Sequence, residues 1–194
     1  MSPLDHGLNS ISSLDGRYAS RVKNLAIIFS ESGVIKLRVK AEVEYLLAFL
    51  SETKLVSVTT KKTAAIRQIV ERFDEKQARQ VKQYEATCRH DVKAVEYFLR
   101  AELKRLGMDE LIPYIHFGLT SEDTNSIAYG LMLQTSLHQE ILPQIKKVIV
   151  GLVQLAEPNI SAVMMGRTHG QPAVPTTMGK ELLVFVKRLV AEYQ

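Results

Sequence analysis

The chain has 194 residues, 46% hydrophobic and 24% charged, with a formal net charge of +4 and a pI near 9.1. That composition fits a soluble globular protein of one large domain or two smaller ones; its most apolar stretch, Val148 to Leu155, is far too short for a bilayer span, and Met1-Ser2-Pro3-Leu4-Asp5-His6 lacks the regions of a signal peptide. The 25 basic residues are scattered, so nucleic-acid binding has little support, and the mild positive balance equally suits an anionic small-molecule substrate.

Ser13-Leu14-Asp15-Gly16-Arg17-Tyr18 is a turn signal followed by an arginine and an aromatic ring, which reads more readily as a surface turn than as a site. Helical periodicity then takes over. Val34 to Leu50 sets Ile35, Val39, Val43, Leu46, Leu47 and Leu50 three and four residues apart. Thr63 to Phe73 repeats the pattern with Ile66, Ile69, Val70 and Phe73, and Asp91 to Leu106 does so with Val92, Val95, Phe98, Leu99, Leu103 and Leu106. Cys88, the single cysteine, cannot form an internal disulfide, which fits a reducing cytoplasm, and it reads as a small hydrophobe.

Arg89-His90-Asp91 opens the third of these helices, and two readings stay open. The helix start presents unpaired backbone donors to which arginine and histidine add affinity for a phosphate or carboxylate. Alternatively, Asp91 caps the helix and its neighbours are solvated. Gly107-Met108-Asp109, followed by Pro113, ends the helix and marks a domain boundary, with 1–110 as an N-terminal helical domain and 111–194 as the first part of a helical bundle.

Tyr114-Ile115-His116-Phe117-Gly118-Leu119 brings a histidine up to Thr120-Ser121-Glu122-Asp123. There a hydroxyl N-cap, with an acidic residue three positions after Thr120, makes a capping-box pattern, while the same hydroxyls and free amides can hold a carboxylate. The longest element runs from about Asp123 to Glu157 through Ile127, Leu131, Ile141, Ile145, Val148, Leu152 and Leu155. As one helix it reaches roughly 50 Å, and Pro143 predicts a kink or break. Such length predicts a bundle that pairs with other chains.

Gly166-Arg167-Thr168-His169-Gly170-Gln171-Pro172 places an imidazole, a guanidinium and a hydroxyl in a turn-forming setting between two helical runs. Loops held by a scaffold often carry chemistry, and histidine exchanges protons near neutral pH. On these residues alone a tight turn with a structural histidine and a proton-transferring site stand level. The last helix starts near Thr176 or Thr177 and continues through Leu182, Leu183, Val186, Leu189 and Val190 to Tyr193-Gln194 without a stop signal, which predicts a fragment cut in mid-helix.

Alternating β-branched runs bounded by hairpin turns are nearly absent, so the expected fold is mainly α. His6, in the terminal segment, and His138, beside Gln139 and Glu140 on an exposed helix face, are expected to be idle. Zinc-ligand spacing, phosphate-binding glycine loops, nucleotide fingerprints and nucleophile elbows do not occur, so neither metal nor cofactor is expected.

Four segments together resemble the adenylosuccinate lyase family, a branch of the fumarase/aspartase superfamily. They are Ser13-Leu14-Asp15-Gly16-Arg17-Tyr18, then Arg89-His90-Asp91-Val92-Lys93-Ala94-Val95-Glu96, then His116-Phe117-Gly118-Leu119-Thr120-Ser121-Glu122-Asp123, and finally Gly166-Arg167-Thr168-His169-Gly170-Gln171-Pro172-Ala173. They follow the family's order and cover nearly the whole chain. The Thr168-His169-Gly170-Gln171 form, where fumarase and argininosuccinate lyase resemble this stretch but usually carry leucine in place of Gly170 after the histidine, separates this branch from its relatives, as does Asp-Gly-Arg-Tyr at the start.

The resemblance implies an N-terminal helical domain followed by the start of a long-helix bundle, truncated, and a cytoplasmic enzyme assembled as a homotetramer. It implies removal of a proton next to a carboxylate of a succinyl group, stabilisation of the carbanion as a doubly charged carboxylate, and cleavage of the C–N bond with release of fumarate. His169 matches the family's general acid. Arg17 and Tyr18 match nucleotide-binding positions, Arg89, His90 and Asp91 a second binding segment, and Thr120 and Ser121 a carboxylate-holding third; His116 matches an active-site histidine. Some members carry asparagine where Arg89 stands, which makes that contact a backbone one. The family's base is a serine on a Ser-Ser-x-Met-Pro-x-Lys-x-Asn loop, a pattern that does not occur between Met1 and Gln194. The 194-residue piece alone is therefore expected to bind its anionic nucleotide substrate poorly and not to catalyse. Another fumarate-releasing lyase, such as argininosuccinate lyase, and a non-catalytic helical assembly module are the competing readings.

Overall fold

The computed structural model describes residues 10–193; the segment with His6 and the final Gln194, where the missing stop signal was read, lie outside the described residues. The chain is mainly α, with eight α-helices and one two-stranded sheet among the described residues. It divides into two compact units, Met1–Thr135 and Ser136–Gln194.

In the first unit, α1 (Lys23–Phe29) leads into α2 (Glu31–Thr53), α3 (Thr60–Glu71), α4 (Glu75–Cys88), α5 (Asp91–Arg105) and α6 (Ser121–Ser136). The spacings of α2, α3 and α5 do what they predict. Val39, Val43, Leu46 and Leu50 of α2 meet Ile66 and Ile69 of α3 and Val95, Phe98, Leu99 and Leu103 of α5 in one buried core. Phe73 stands edge-on to Phe98 with ring centroids 5.6 Å apart, a geometry that favours aromatic pairs beyond their buried area. Ser30 and Thr59 cap α2 and α3 by accepting from Gly33 N and Lys62 N, satisfying donors that the first turn leaves open. At the end of α5, Gly107 N donates to Lys104 O and Met108 N to Leu103 O, the paired bonds of a Schellman stop.

The long element from Asp123 to Glu157 is interrupted beside Pro143, as expected: it is α6, a π-helical turn over Leu137–Ile141, and α7 (Leu142–Ala156). Leu142 N–H reaches back to Leu137 O, and Pro143 falls in the first turn of α7. Proline lacks the donor an interior turn needs and its ring crowds the carbonyl four residues back; the preceding turn widens, and the proline takes a position where its missing N–H costs nothing. His138 sits in that π turn, exposed.

The turn-forming stretch before the last helix is a β-hairpin, the one sheet among the described residues of this mainly helical chain. β1 (Val163–Thr168) pairs antiparallel with β2 (Gln171–Thr177). α8 (Met178–Tyr193) follows at once, and Thr177 Oγ1 caps it by accepting from Lys180 N at 3.3 Å. α7 and α8 pack on each other within this unit. Among the described residues no helix is long and apolar enough to cross a membrane.

Candidate functional site

Helix α2 carries Arg38, Glu42 and Tyr45, three and four residues apart and so on one helix face, and each reaches a different part of the candidate segments. Arg38, 8% exposed, places Nη2 2.8 Å from Asp91 Oδ2 and donates from Nε to Asn125 Oδ1 at 2.9 Å. Glu42, 1% exposed, accepts from Thr124 Oγ1 at 2.6 Å with the same oxygen that stands 2.6 Å from His116 Nδ1. Tyr45 Oη donates to Phe117 O at 2.8 Å, and Phe49, one turn further, sets its ring centroid 5.3 Å from that of Phe117 at a tilted 41°. One helix therefore ties together the start of α5, the turn at His116 and the first turn of α6.

His116 sits at φ 58°, a left-handed position that side chains other than Asn, Asp and His rarely take. Its ring is 13% exposed and lies between two carboxylates, with Nε2 3.9 Å from Glu96 Oε1. Glu96 is compensated by Lys93 Nζ at 2.8 Å and by Arg100 Nη2 at 3.7 Å. The second oxygen of Glu42, Oε2, is buried without a hydrogen-bond partner, a circumstance that costs about 1–3 kcal/mol.

At the start of α5 the cap is His90 and not Asp91: His90 Nδ1 accepts from Lys93 N at 3.2 Å. That bond uses the acceptor nitrogen of a neutral ring, which puts the proton on Nε2. Asp91 is the first helical residue, where its Oδ1 accepts from Val92 N at 2.9 Å. Burial pushes the Asp91 carboxyl up, but the Val92 N–H and the Arg38 guanidinium outweigh it and hold the group below the usual carboxylate range. Arg89, exposed, is the left-handed C-cap of α4 at φ 53°.

Thr120 caps α6: its Oγ1 accepts from Glu122 N at 3.2 Å, and its own N–H donates to Asp123 Oδ2 at 2.7 Å. Of the capping box read from Thr120 and Asp123, the return bond from the Asp123 side chain is formed, while the Thr120 hydroxyl takes the N–H of Glu122 in place of that of Asp123. Ser121, half-buried, is the first residue of the helix. Arg17 and Tyr18 lie in an exposed turn closed by Tyr18 N to Ser13 O at 2.8 Å, with the guanidinium 5.5 Å from the ring centroid. Among the described residues no hydrogen bond joins these two to the other candidates.

His169 belongs to the second unit. It and Gly170, at φ 52° and 77°, are the two residues between Thr168 and Gln171, a type I′ turn. The imidazole stands exposed at the tip, flanked by Thr168 and Gln171, which close the turn as a pair. Below the tip the register slips between Met165 and Arg167, so Gly166 faces two residues of β2, a β-bulge. A Cβ on Gly166 would stand 2.3 Å from Val174 O; only glycine lets the strands approach so closely.

The residues that sequence reasoning missed are Arg38, Glu42, Glu96, Thr124 and Asn125. A signal existed for two of them. Arg38 and Glu42 interrupt the apolar spacing of Ile35, Val39, Val43 and Leu46, and a charge on a core-facing stripe is rarely buried unless paired.

A family model described as lyase matches residues 16–194. The chain is 44% identical over 191 residues to the adenylosuccinate lyase of Dictyostelium discoideum, covering 95% of this chain and 41% of that protein. It is 40% identical over 191 residues to the adenylosuccinate lyase of Haemophilus influenzae, covering 96% and 42%. The chain thus spans about two fifths of the length of these relatives. Its fold is similar to that of a fumarate lyase from Mesorhizobium sp. BNC1, with a TM-score of 0.70 at 22% identity over 88% of this chain and 38% of the other.

Proposed function

This chain belongs to the lyase family, and on that premise we propose that the protein it forms is an adenylosuccinate lyase. The reaction eliminates fumarate from adenylosuccinate, giving AMP, and from the succinylated aminoimidazole carboxamide ribotide. One observation carries the reading: similarity to adenylosuccinate lyases at 44% and 40% identity along 95% and 96% of the chain.

In this reading the substrate is an anionic nucleotide with a phosphate and two carboxylates. Arg17, Tyr18, Arg89, His90 and Asp91 bind it, Thr120 and Ser121 hold a carboxylate with the open amides of α6, and His116 contributes a ring nitrogen. A base takes the proton next to a succinyl carboxylate. The electron pair passes into that carboxylate, whose growing charge needs donors already in place. As the C–N bond breaks the nitrogen takes its electrons, and His169 supplies the proton it then needs. An exposed imidazole on a rigid turn suits that role, because the turn fixes its position while its nitrogens stay open to a ligand. The base is a serine outside this chain. A cytoplasmic homotetramer, with residues 1–110 as its N-terminal helical domain and 111–194 opening its central bundle, belongs to the same reading.

The test is fumarate release by the full-length protein from adenylosuccinate and, in parallel, from argininosuccinate. Turnover of adenylosuccinate alone supports the proposal. Turnover of argininosuccinate alone, or of neither, overturns it.

A further inference from the structure

The buried carboxylate of Glu42 is not needed to fill space. Leucine or methionine there would continue the stripe of Val39, Val43 and Leu46 without leaving a polar oxygen unpartnered, and Glu42 Oε2 has no hydrogen bond. What the carboxylate does is done by Oε1, which stands 2.6 Å from both Thr124 Oγ1 and His116 Nδ1.

An ionised carboxylate only accepts. Facing it, His116 Nδ1 must carry a proton, and the ring's remaining hydrogen-bonding capacity lies on Nε2. That nitrogen is 3.9 Å from Glu96 Oε1, beyond hydrogen-bond length. The ring is therefore hydrogen-bonded at one nitrogen, while the other faces the Glu96 carboxylate without a hydrogen bond and can donate to a further acceptor. The left-handed backbone of His116 and the Tyr45 bond to Phe117 O hold the turn on the same helix.

We infer that Glu42 is a positioning residue for the lyase reaction: together with Thr124 it fixes the proton on His116 Nδ1 and aims Nε2 at an anionic group of the substrate. The inference rests on the proposed function only for the substrate. The geometry of the Glu42, His116 and Thr124 trio stands without it. Glutamine at position 42 keeps the size of the side chain but offers either an acceptor or a donor to the ring, so the ring's proton and orientation are no longer dictated.

The experiment uses the full-length protein as wild type, Glu42→Gln, Thr124→Val, His116→Ala and the double variant Glu42→Gln/His116→Ala. Fumarate release from adenylosuccinate gives kcat and KM, and crystal structures of wild type and Glu42→Gln give the His116 ring orientation. Glu42→Gln is expected to lower kcat/KM about 10- to 100-fold, the loss that removing a histidine's carboxylate partner brings at metal sites, chiefly through KM. Thr124→Val shifts it the same way by several-fold and serves if Glu42→Gln does not fold. The double variant is expected to be no worse than His116→Ala. Additive losses, which a purely structural role gives, would overturn the inference, as would wild-type kinetics with an unmoved ring in Glu42→Gln. Should wild type release no fumarate, the functional reading fails, and the ring decides alone: turned away upholds the positioning role, unmoved rejects it.

Discussion

His169 and Gly170 take consecutive left-handed backbone positions, at φ 52° and 77°. This pairing matches the turn to the natural twist of the two strands it joins. It also separates two roles of residue 169, its backbone and its imidazole. Asparagine tolerates the left-handed conformation but cannot transfer a proton near neutral pH. His169→Asn in the full-length protein is therefore expected to keep the thermal unfolding midpoint while lowering kcat for fumarate release by about 10²- to 10⁴-fold. An unchanged kcat would remove His169 from the proton-transfer step.

Gly166 faces the bulge, where a Cβ would meet Val174 O at 2.3 Å. Backbone cannot swing aside as a long side chain can, so Gly166→Ala must push the strands apart. Overpacking of this kind costs about 1–3 kcal/mol, expected as a lowered unfolding midpoint. Hydrogen exchange localises the loss, with the β1 and β2 amides exchanging faster while α2 and α5 stay protected.

Asp91 carries a pH signature. Its carboxyl titrates below the ordinary value of 3.8, because the Val92 N–H and Arg38 outweigh burial. The ionised form therefore stabilises the fold at every pH above that ordinary value, and the contribution fades as pH falls from there through the lowered one. Asp91→Asn is expected to melt at a lower temperature than wild type near neutral pH, with the two curves converging in acid. A difference that persists unchanged below the carboxylate range would assign the effect to packing.

Thr120 and Ser121 are neighbours with different structural duties. Thr120 Oγ1 caps α6, so Thr120→Ala is expected to cost about 1 kcal/mol of stability. Ser121→Ala should leave stability within about 0.5 kcal/mol and, on the proposed carboxylate-binding role of its hydroxyl, raise KM. Chemical denaturation of both variants beside their steady-state kinetics reads the two effects separately.

Much of the fold is legible in spacing, and the exceptions have physical causes. α2, α3 and α5 announce themselves because each turns an apolar stripe to the core. α4 does not: Glu75–Cys88 is mostly polar and buries only Ala78 and Val81, too narrow a stripe for periodicity to register. The hairpin hides for another reason. Val163–Thr168 and Gln171–Thr177 are exposed nearly throughout, so neither strand shows the half-buried alternation by which strands are read, and the His-Gly turn is less familiar than Asn-Gly. At the site, histidines and hydroxyls beside helix starts are visible as residue types. Their partners are not, because Glu42 lies 74 positions from His116 and 82 from Thr124, and only the tertiary fold joins them.

Pro172 and Pro175, which mark this stretch as unfit for a helix, gain a different meaning from the bulge. In a regular strand two prolines three residues apart face opposite ways, and one would remove a donor from the pairing with β1. The slip in register sets Pro172 opposite Arg167 and Pro175 opposite Met165, two residues apart on the partner, so both share one orientation. With Thr168 and Gln171 as the hydrogen-bonded pair that closes a two-residue turn, both are non-bonded positions whose nitrogens point away from β1. The outward edge of β2 thereby lacks two of the N–H groups that an incoming strand would need. A largely exposed hairpin invites edge-to-edge association; here two prolines blunt that edge, so the hairpin can stay two-stranded and hold its histidine out without recruiting a third strand.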